Sequence, residues 1–167
     1  MNKLFTVIIS TFLFCSLGLS QSKEAVLIEA ESFPQKGGWL VDQQFMDQMG
    51  SPFLLAHGLG KPVENAKTAV KLPKKGQWHV YVRTWDWCSP WSVEGPGVFK
   101  VAVNGQQLEN TLGKGKQWGW EYAGSFNAGS ADATVELCDL SGFEGRCDAI
   151  VLAKNQAISL PNDLKGL

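Results

Sequence analysis

The chain has 167 residues, a formal net charge of −1, 44% hydrophobic and 19% charged residues, seven Trp and four Cys. That length suits one domain with a real core, and a near-neutral charge without a basic stripe argues against nucleic acid as a partner. The Lys residues at 71, 74 and 75 surround a Pro-Lys-Lys-Gly turn, where a charge cluster is ordinarily solvated.

In chain order, Lys3 is followed by the apolar run Leu4–Cys15 and then by the small and polar stretch Ser16–Gln21, which predicts a signal peptide over residues 1–20. The expected location is secreted or periplasmic, and the run is too short for a comfortable membrane span, so none is expected in the mature chain. Acylation of Cys15 is the alternative, although Phe14 stands where a lipoprotein signal wants a small residue. Loss of this segment removes Lys3 and leaves Cys88, Cys138 and Cys147.

Beyond it, short runs rich in β-branched and aromatic residues predict strands at Ala25–Glu31, Phe53–His57, Ala66–Leu72, Gln77–Trp85, Val98–Val103, Trp118–Phe126, Ala133–Asp139 and Asp148–Ala153. Trp78, Val80 and Val82 alternate with His79, Tyr81 and Arg83, so one face of that strand should be dry. Asn104-Gly105 favours a tight hairpin, and Pro73–Gly76 marks another turn. A short helix is expected over Asp42–Met49, stopped by Gly50-Ser51-Pro52, while the tail Ser159–Leu167 reads as the start of a linker. Together these predict an all-β fold, an antiparallel β-sandwich or jelly roll, over residues 21–158.

Three groups of residues carry candidate chemistry. Glu29 and Glu31 stand two apart in a predicted strand and so share a face; first and last strands of a sandwich often adjoin, which lets Asp148 complete an all-oxygen site for a structural Ca²⁺. Ordinary solvent-facing carboxylates are the alternative. Trp85, Trp87 and Trp91 surround Arg83 and Asp86 where a strand runs into the loop Ser89–Gly97, and indole faces beside a guanidinium and a carboxylate suit a sugar. The same aromatics would also suit packing on a second domain. Trp118, Trp120 and Tyr122 alternate along one strand and are expected to be core. Cys138 and Cys147 end and begin adjacent strands, so they either form a disulfide or stay, with Cys88, as buried thiols.

Catalytic signatures are absent. Asp86, Glu94, Glu121 and Glu144 show no spacing that singles out an acid–base pair, His57 and His79 read as structural, and there is neither a Gly-x-Ser-x-Gly elbow nor a Cys-x-x-Cys pair.

Ile28-Glu29-Ala30-Glu31, Gly76-x-Trp78-x-Val80-x-Val82-Arg83, Val101-x-Val103-Asn104-Gly105 and Asp148-Ala149-Ile150-Val151-Leu152 resemble galactose-binding-like sandwich domains, including family 6 and family 35 carbohydrate-binding modules. In those modules the cation is structural and lies away from the sugar. More narrowly, Gly38–Met46 and Met49–Gly60 resemble the N-terminal region of secreted bacterial FAD-dependent oxidoreductases. The resemblance spans nearly all of residues 24–165; its second motif set is long and specific, its first short and widely shared. The second set implies a flavin domain after the linker. Within this chain no FAD site is expected: no Gly-x-Gly-x-x-Gly follows a strand, and Gly113-Lys114-Gly115-Lys116-Gln117-Trp118 lacks the final Gly and the helix that would hold a pyrophosphate. The expected function is a non-catalytic glycan-binding module or, alternatively, an accessory domain packed on a downstream catalytic domain. An enzyme in its own right is the third reading.

Overall fold

In the computed structural model of the chain, residues 24–88 and 97–162 are described. The elements in order are β1 (Ala25–Glu29), a 3₁₀ turn (Ala30–Ser32), β2 (Trp39–Asp42), α1 (Met46–Met49), β3 (Phe53–His57), β4 (Ala66–Lys71) and β5 (Gly76–Thr84). They continue as β6 (Phe99–Val103), β7 (Gln106–Gln107), β8 (Gly119–Ala128), β9 (Asp132–Asp139), β10 (Phe143–Cys147) and β11 (Ala149–Ala153). The signal-peptide segment and Trp91 lie outside the described residues.

Two four-stranded antiparallel sheets, β1-β11-β5-β8 and β4-β9-β6-β7, face each other, and a smaller sheet, β10-β3-β2, extends one end. The expected all-β sandwich is therefore the fold. Its core follows from the period-two pattern: Trp78, Val80 and Val82 of β5 point inward with no exposure, opposite Phe99, Val101, Val135 and Leu137 of the second sheet. β11, Ala-Ile-Val-Leu-Ala, is buried at every position, as a continuous apolar run in a covered central strand should be. β1 pairs antiparallel with β11, Glu29 opposite Ala149, so the two ends of the domain lie side by side as anticipated. Asn104 and Gly105 take φ of +52° and +80°, the left-handed pair that a tight hairpin between β6 and β7 requires.

A second, separate apolar cluster sits beside the small sheet. Phe45, Met49, Phe53 and Trp118 form it, with Leu55, Trp85 and Trp87 packed around them. Trp118 meets Phe53 edge-on at 5.3 Å between ring centroids, and Trp85 meets Phe45 at 5.0 Å.

Several expectations need correction. Glu31 is not in β1 but in the 3₁₀ turn that follows it, and α1 is one turn rather than the whole of residues 42–49. β2, β7 and β10 had not been anticipated: Trp39-Leu40-Val41-Asp42 is four residues without alternation, β7 is only Gln106-Gln107, and β10 carries Glu144, Gly145 and Arg146 at its centre. Trp118, Trp120 and Tyr122 do not share a core face: Trp118 precedes β8 and is buried in the second cluster, whereas Trp120 and Tyr122 are half-buried on the outside of the first sheet. The described part of the tail is not a free linker. Trp120 Nε1 donates to the Pro161 carbonyl at 2.8 Å, Tyr81 donates to the Gln156 carbonyl, and the Asn162 side-chain amide donates to the Trp118 carbonyl at 2.7 Å, so residues 156–162 cross the sheet's outer face.

The Cys138–Cys147 bridge is not formed. Cys147 is enclosed in the main core, whereas Cys138 on β9 accepts a hydrogen bond from the Asn65 amide at 3.3 Å, and both are free thiols, as is Cys88. Burial pushes all three thiols up, furthest for Cys147, which disfavours the thiolate that oxidation needs. A reducing agent is accordingly expected to leave the thermal midpoint unchanged. A fall of several degrees on reduction would show that a bridge exists after all.

Candidate ligand site at the loop end of the sandwich

The junction of β1, β10 and β11 gathers charge. The Ala30 N–H donates to the Asp148 carbonyl at 2.9 Å, which ties the 3₁₀ turn to the residue linking β10 to β11. Glu29, Glu31 and Asp148 are thereby brought close enough to repel one another. Burial raises Glu29 and Glu31 above the ordinary carboxylate range. It pushes Asp148 up to about 7 against the opposing pull of Arg83, with Glu29 and Glu31 adding to the rise.

Arg83, from the end of β5, sits among these carboxylates. Its Nη1 donates to Asp148 Oδ2 at 3.1 Å, and both side chains are 1% exposed. Its Nε and Nη2 donate to the side-chain oxygen and carbonyl of Asn162 at 3.2 and 2.9 Å. Ser51 Oγ donates to the other Asp148 oxygen at 3.3 Å. Each guanidinium nitrogen thus has an acceptor within the protein and the side chain is buried, so Arg83 is a clamp rather than a surface ligand for a sugar.

The fit of this cluster to calcium divides in two. In chemistry it fits: all donors are oxygens, Arg83 acts on Glu29 and Asp148 while Lys36 acts on Glu31, and Glu31 Oε2 is buried without a hydrogen-bond partner among the described residues. In placement it does not yet converge, since Asp148 is turned to Arg83 and, among the described residues, no three acidic, His or Cys side chains form a ready ligand set.

The expected sugar-binding group is also divided. Asp86 is buried at 4% exposure; its Oδ1 accepts the Cys88 N–H at 3.0 Å and its own N–H donates to Gly115 at 2.8 Å, which shapes the turn leaving β5. Trp85 is half-buried in the second aromatic cluster. Trp87 is half-buried, with the Arg146 guanidinium 5.4 Å from its ring centroid.

Around Trp87 stand residues that sequence reasoning had not assigned to a site. Arg146 donates through Nη1 to the Glu144 carbonyl at 2.8 Å and through Nη2 to the Glu144 carboxylate, while its buried Nε has no acceptor among the described residues. The other Glu144 oxygen meets His57 Nδ1 at 3.0 Å. A β-bulge between Phe143 and Gly145, with Glu144 at φ +64°, aims that carboxylate. The available signal was alternation: Cys147 points into the core, so its neighbours Arg146 and Asp148 had to point away from it. Trp87, Glu144 and His57, braced by the buried Arg146, combine an aromatic face with donors and acceptors, the chemistry that a sugar's C–H and O–H groups require.

The Gly113–Gly115 turn is committed elsewhere. The N–H groups of Gly113, Lys114 and Gly115 donate to the Glu121 carboxylate at 3.0, 3.1 and 2.7 Å, so this small anion nest is filled by the protein's own side chain.

The raised carboxylates set a direction for stability. A folded-state pKa near 7 for Asp148, above its ordinary 3.8, means the folded chain holds a proton that the unfolded chain has released between those values. In a chelator, stability is therefore expected to fall as pH rises from about 4 to about 7 and then to level off. Denaturant unfolding across that range checks it, and Asp148→Asn should flatten the slope; a rise in stability over the same interval would contradict the assignment.

No family model and no curated protein matches the chain. Solved structures do. The chain is similar to the GH26-CBM35 β-(1,4)-mannanase of Podospora anserina, with TM-score 0.62 and 16% identity over 82% of this chain and 29% of that one. It is also similar to a family 35 carbohydrate-binding module from Clostridium thermocellum, with TM-score 0.57 and 15% identity over 77% and 96% of the two chains. A third, the family 35 module from Paenibacillus barcinonensis, gives TM-score 0.60 and 14% identity over 78% and 99%. The chain thus spans under a third of the mannanase but nearly all of the isolated modules. Nothing in these comparisons supports the resemblance to FAD-dependent oxidoreductases, which rests on sequence motifs alone. The protein has the antiparallel β-sandwich fold of carbohydrate-binding modules.

Proposed function

We propose that this domain is a secreted or periplasmic, non-catalytic glycan-binding module whose binding surface is centred on Trp87. The observation that carries the reading is the Trp87–Arg146–Glu144–His57 constellation at the loop end of a sandwich shared with carbohydrate-binding modules. The indole supplies an apolar face, and the partly exposed His57 and Glu144 beside it supply hydroxyl partners, held in place by the buried Arg146, which lowers the ordering cost of binding. No helix among the described residues is long and apolar enough to cross a membrane.

Calcium belongs to the same proposal as a structural ion. Glu29 and Glu31 would hold it, with Asp148 joining when it rotates from Arg83. The ion would compensate the excess negative charge and satisfy Glu31 Oε2. Calcium added above pH 7 is expected to raise the thermal midpoint more than magnesium does, because the larger ion tolerates an irregular oxygen shell. Glu31→Gln should abolish the difference; an equal response to both ions would remove calcium from the account.

A second reading is supported by the mannanase, in which a domain of this fold forms part of a longer enzyme. There the module would pack on a catalytic partner, and the flavin-dependent oxidoreductase suggested by the motifs at residues 38–46 and 49–60 is one such partner. Binding to a glycan panel separates the two. Trp87→Ala is expected to lower glycan affinity at least about tenfold, or about 1.4 kcal/mol, with the thermal midpoint nearly unchanged. No binding to any glycan by the unmutated protein would favour the packing role.

A further inference from the structure

At the opposite end of the molecule lies a groove of about 700 Å³ between the edge strand β8 and the β6–β7 hairpin. Gln77, which opens onto it, stands six residues before Arg83 on β5, so the groove is about 20 Å from the loop-end site at the rise of an extended strand. The two cannot be parts of one small pocket.

The groove's chemistry is specific. Gln77, Asn104, Gln106, Gln107 and Asn127 line one concavity; the Asn104 amide oxygen accepts the Thr134 N–H and the Gln107 amide bonds Cys138, which leaves the other three. Among the described residues, the side-chain amides of Gln77, Gln106 and Asn127 make no hydrogen bond within the protein, so each offers two N–H donors and a carbonyl acceptor. Phe126, half-buried, adds an aromatic edge. The one ionisable side chain in the lining is Glu109; the Lys100 ammonium, outside the lining, donates to the Glu109 carbonyl at 3.2 Å.

The wall is built rather than incidental. Leu108 N–H donates to Val101 at 2.8 Å and Asn110 N–H to Ala123 at 3.0 Å, so the segment after β7 is stitched to both large sheets. Gly124, at φ +134°, sits under it; a Cβ there would come within 2.9 Å of Glu109 Cγ. The absent side chain is what lets Glu109 lie against β8 at the groove's rim.

We propose that this groove is a second, independent binding site for a neutral oligosaccharide. Amides pair with hydroxyls in either direction, whereas an anionic ligand would find no cationic side chain in the lining and would meet the Glu109 carboxylate. The lining therefore favours a neutral ligand over a uronic acid.

The test is a ¹H–¹⁵N titration of the purified protein, following the side-chain amide signals of Gln77, Gln106 and Asn127. Mannopentaose, xylopentaose and cellopentaose are the neutral probes, and oligogalacturonate is the acidic one. One neutral series should give saturable shifts at these amides, oligogalacturonate should give none, and the shifts should persist in Trp87→Ala. Gln77→Ala with Asn127→Ala should weaken that binding at least about tenfold, while the exposed positions leave the backbone spectrum intact. Persistence of the groove shifts with no binding near Trp87 would defeat the loop-end reading and support this one. No saturable shift with any neutral probe would overturn it. So would preferential binding of oligogalacturonate, or loss of all groove shifts in Trp87→Ala.

Discussion

One buried guanidinium holds the loop end of this domain together. Arg83 leaves the central strand β5, ion-pairs with Asp148 at the β10–β11 junction, and caps Asn162 in the C-terminal segment. Three parts of the chain far apart in sequence are therefore pinned to one side chain. Removing either partner of a buried pair leaves the other charge without compensation, which typically costs about 3–5 kcal/mol. The same clamp aligns the turn into Trp85 and Trp87, because the Asp148 N–H donates to the Arg83 carbonyl at 3.0 Å.

The clamp does not neutralise its surroundings. Glu29, at the end of the β1–β11 pairing, and Glu31, in the 3₁₀ turn after it, arrive beside it, and Arg83 with Lys36 does not offset the burial of these carboxylates. Burial resolves the conflict in part by raising their pKa values, and a divalent cation would resolve it by adding charge. The cluster is thus a feature of strand topology first. Its suitability for a cation follows from which strands meet, not from any local ligand motif.

Next to this charged knot, the Trp87 surface is organised by a relay of fixed groups. His57 on β3 meets Glu144, Glu144 holds Arg146, and Arg146 lies over the indole. His57 comes from β3, Glu144 and Arg146 from β10 and Trp87 from the turn after β5, and the bulge in β10 is what turns Glu144 toward both partners. A ligand surface made this way is rigid before its ligand arrives. The Glu121 carboxylate in the Gly113–Gly115 nest shows the same tendency of the fold to fill polar sites with its own side chains.

The sequence by itself determined the class of fold and much of the frame. Alternation in Trp78-His79-Val80-Tyr81-Val82, the Asn104-Gly105 turn and the apolar run of β11 are local signals, and each was sufficient to place its strand. It also brought Glu29, Glu31 and Asp148 to one place, because end strands of a sandwich tend to adjoin. Tertiary structure alone decided what those residues do. Arg83 and Asp86 read as surface partners for a sugar, yet their burial follows from the C-terminal segment and the turn near Gly115, which no periodicity announces. Cys138 and Cys147 are close in sequence but face different surroundings, since one sits on β9 beside Asn65 and the other in the main core. Arg146, Glu144 and His57 are unremarkable singly and become a site only when a bulged strand and β3 pair. Side-chain direction, burial and charge balance depend on which strands meet across the sandwich, and those contacts are long-range.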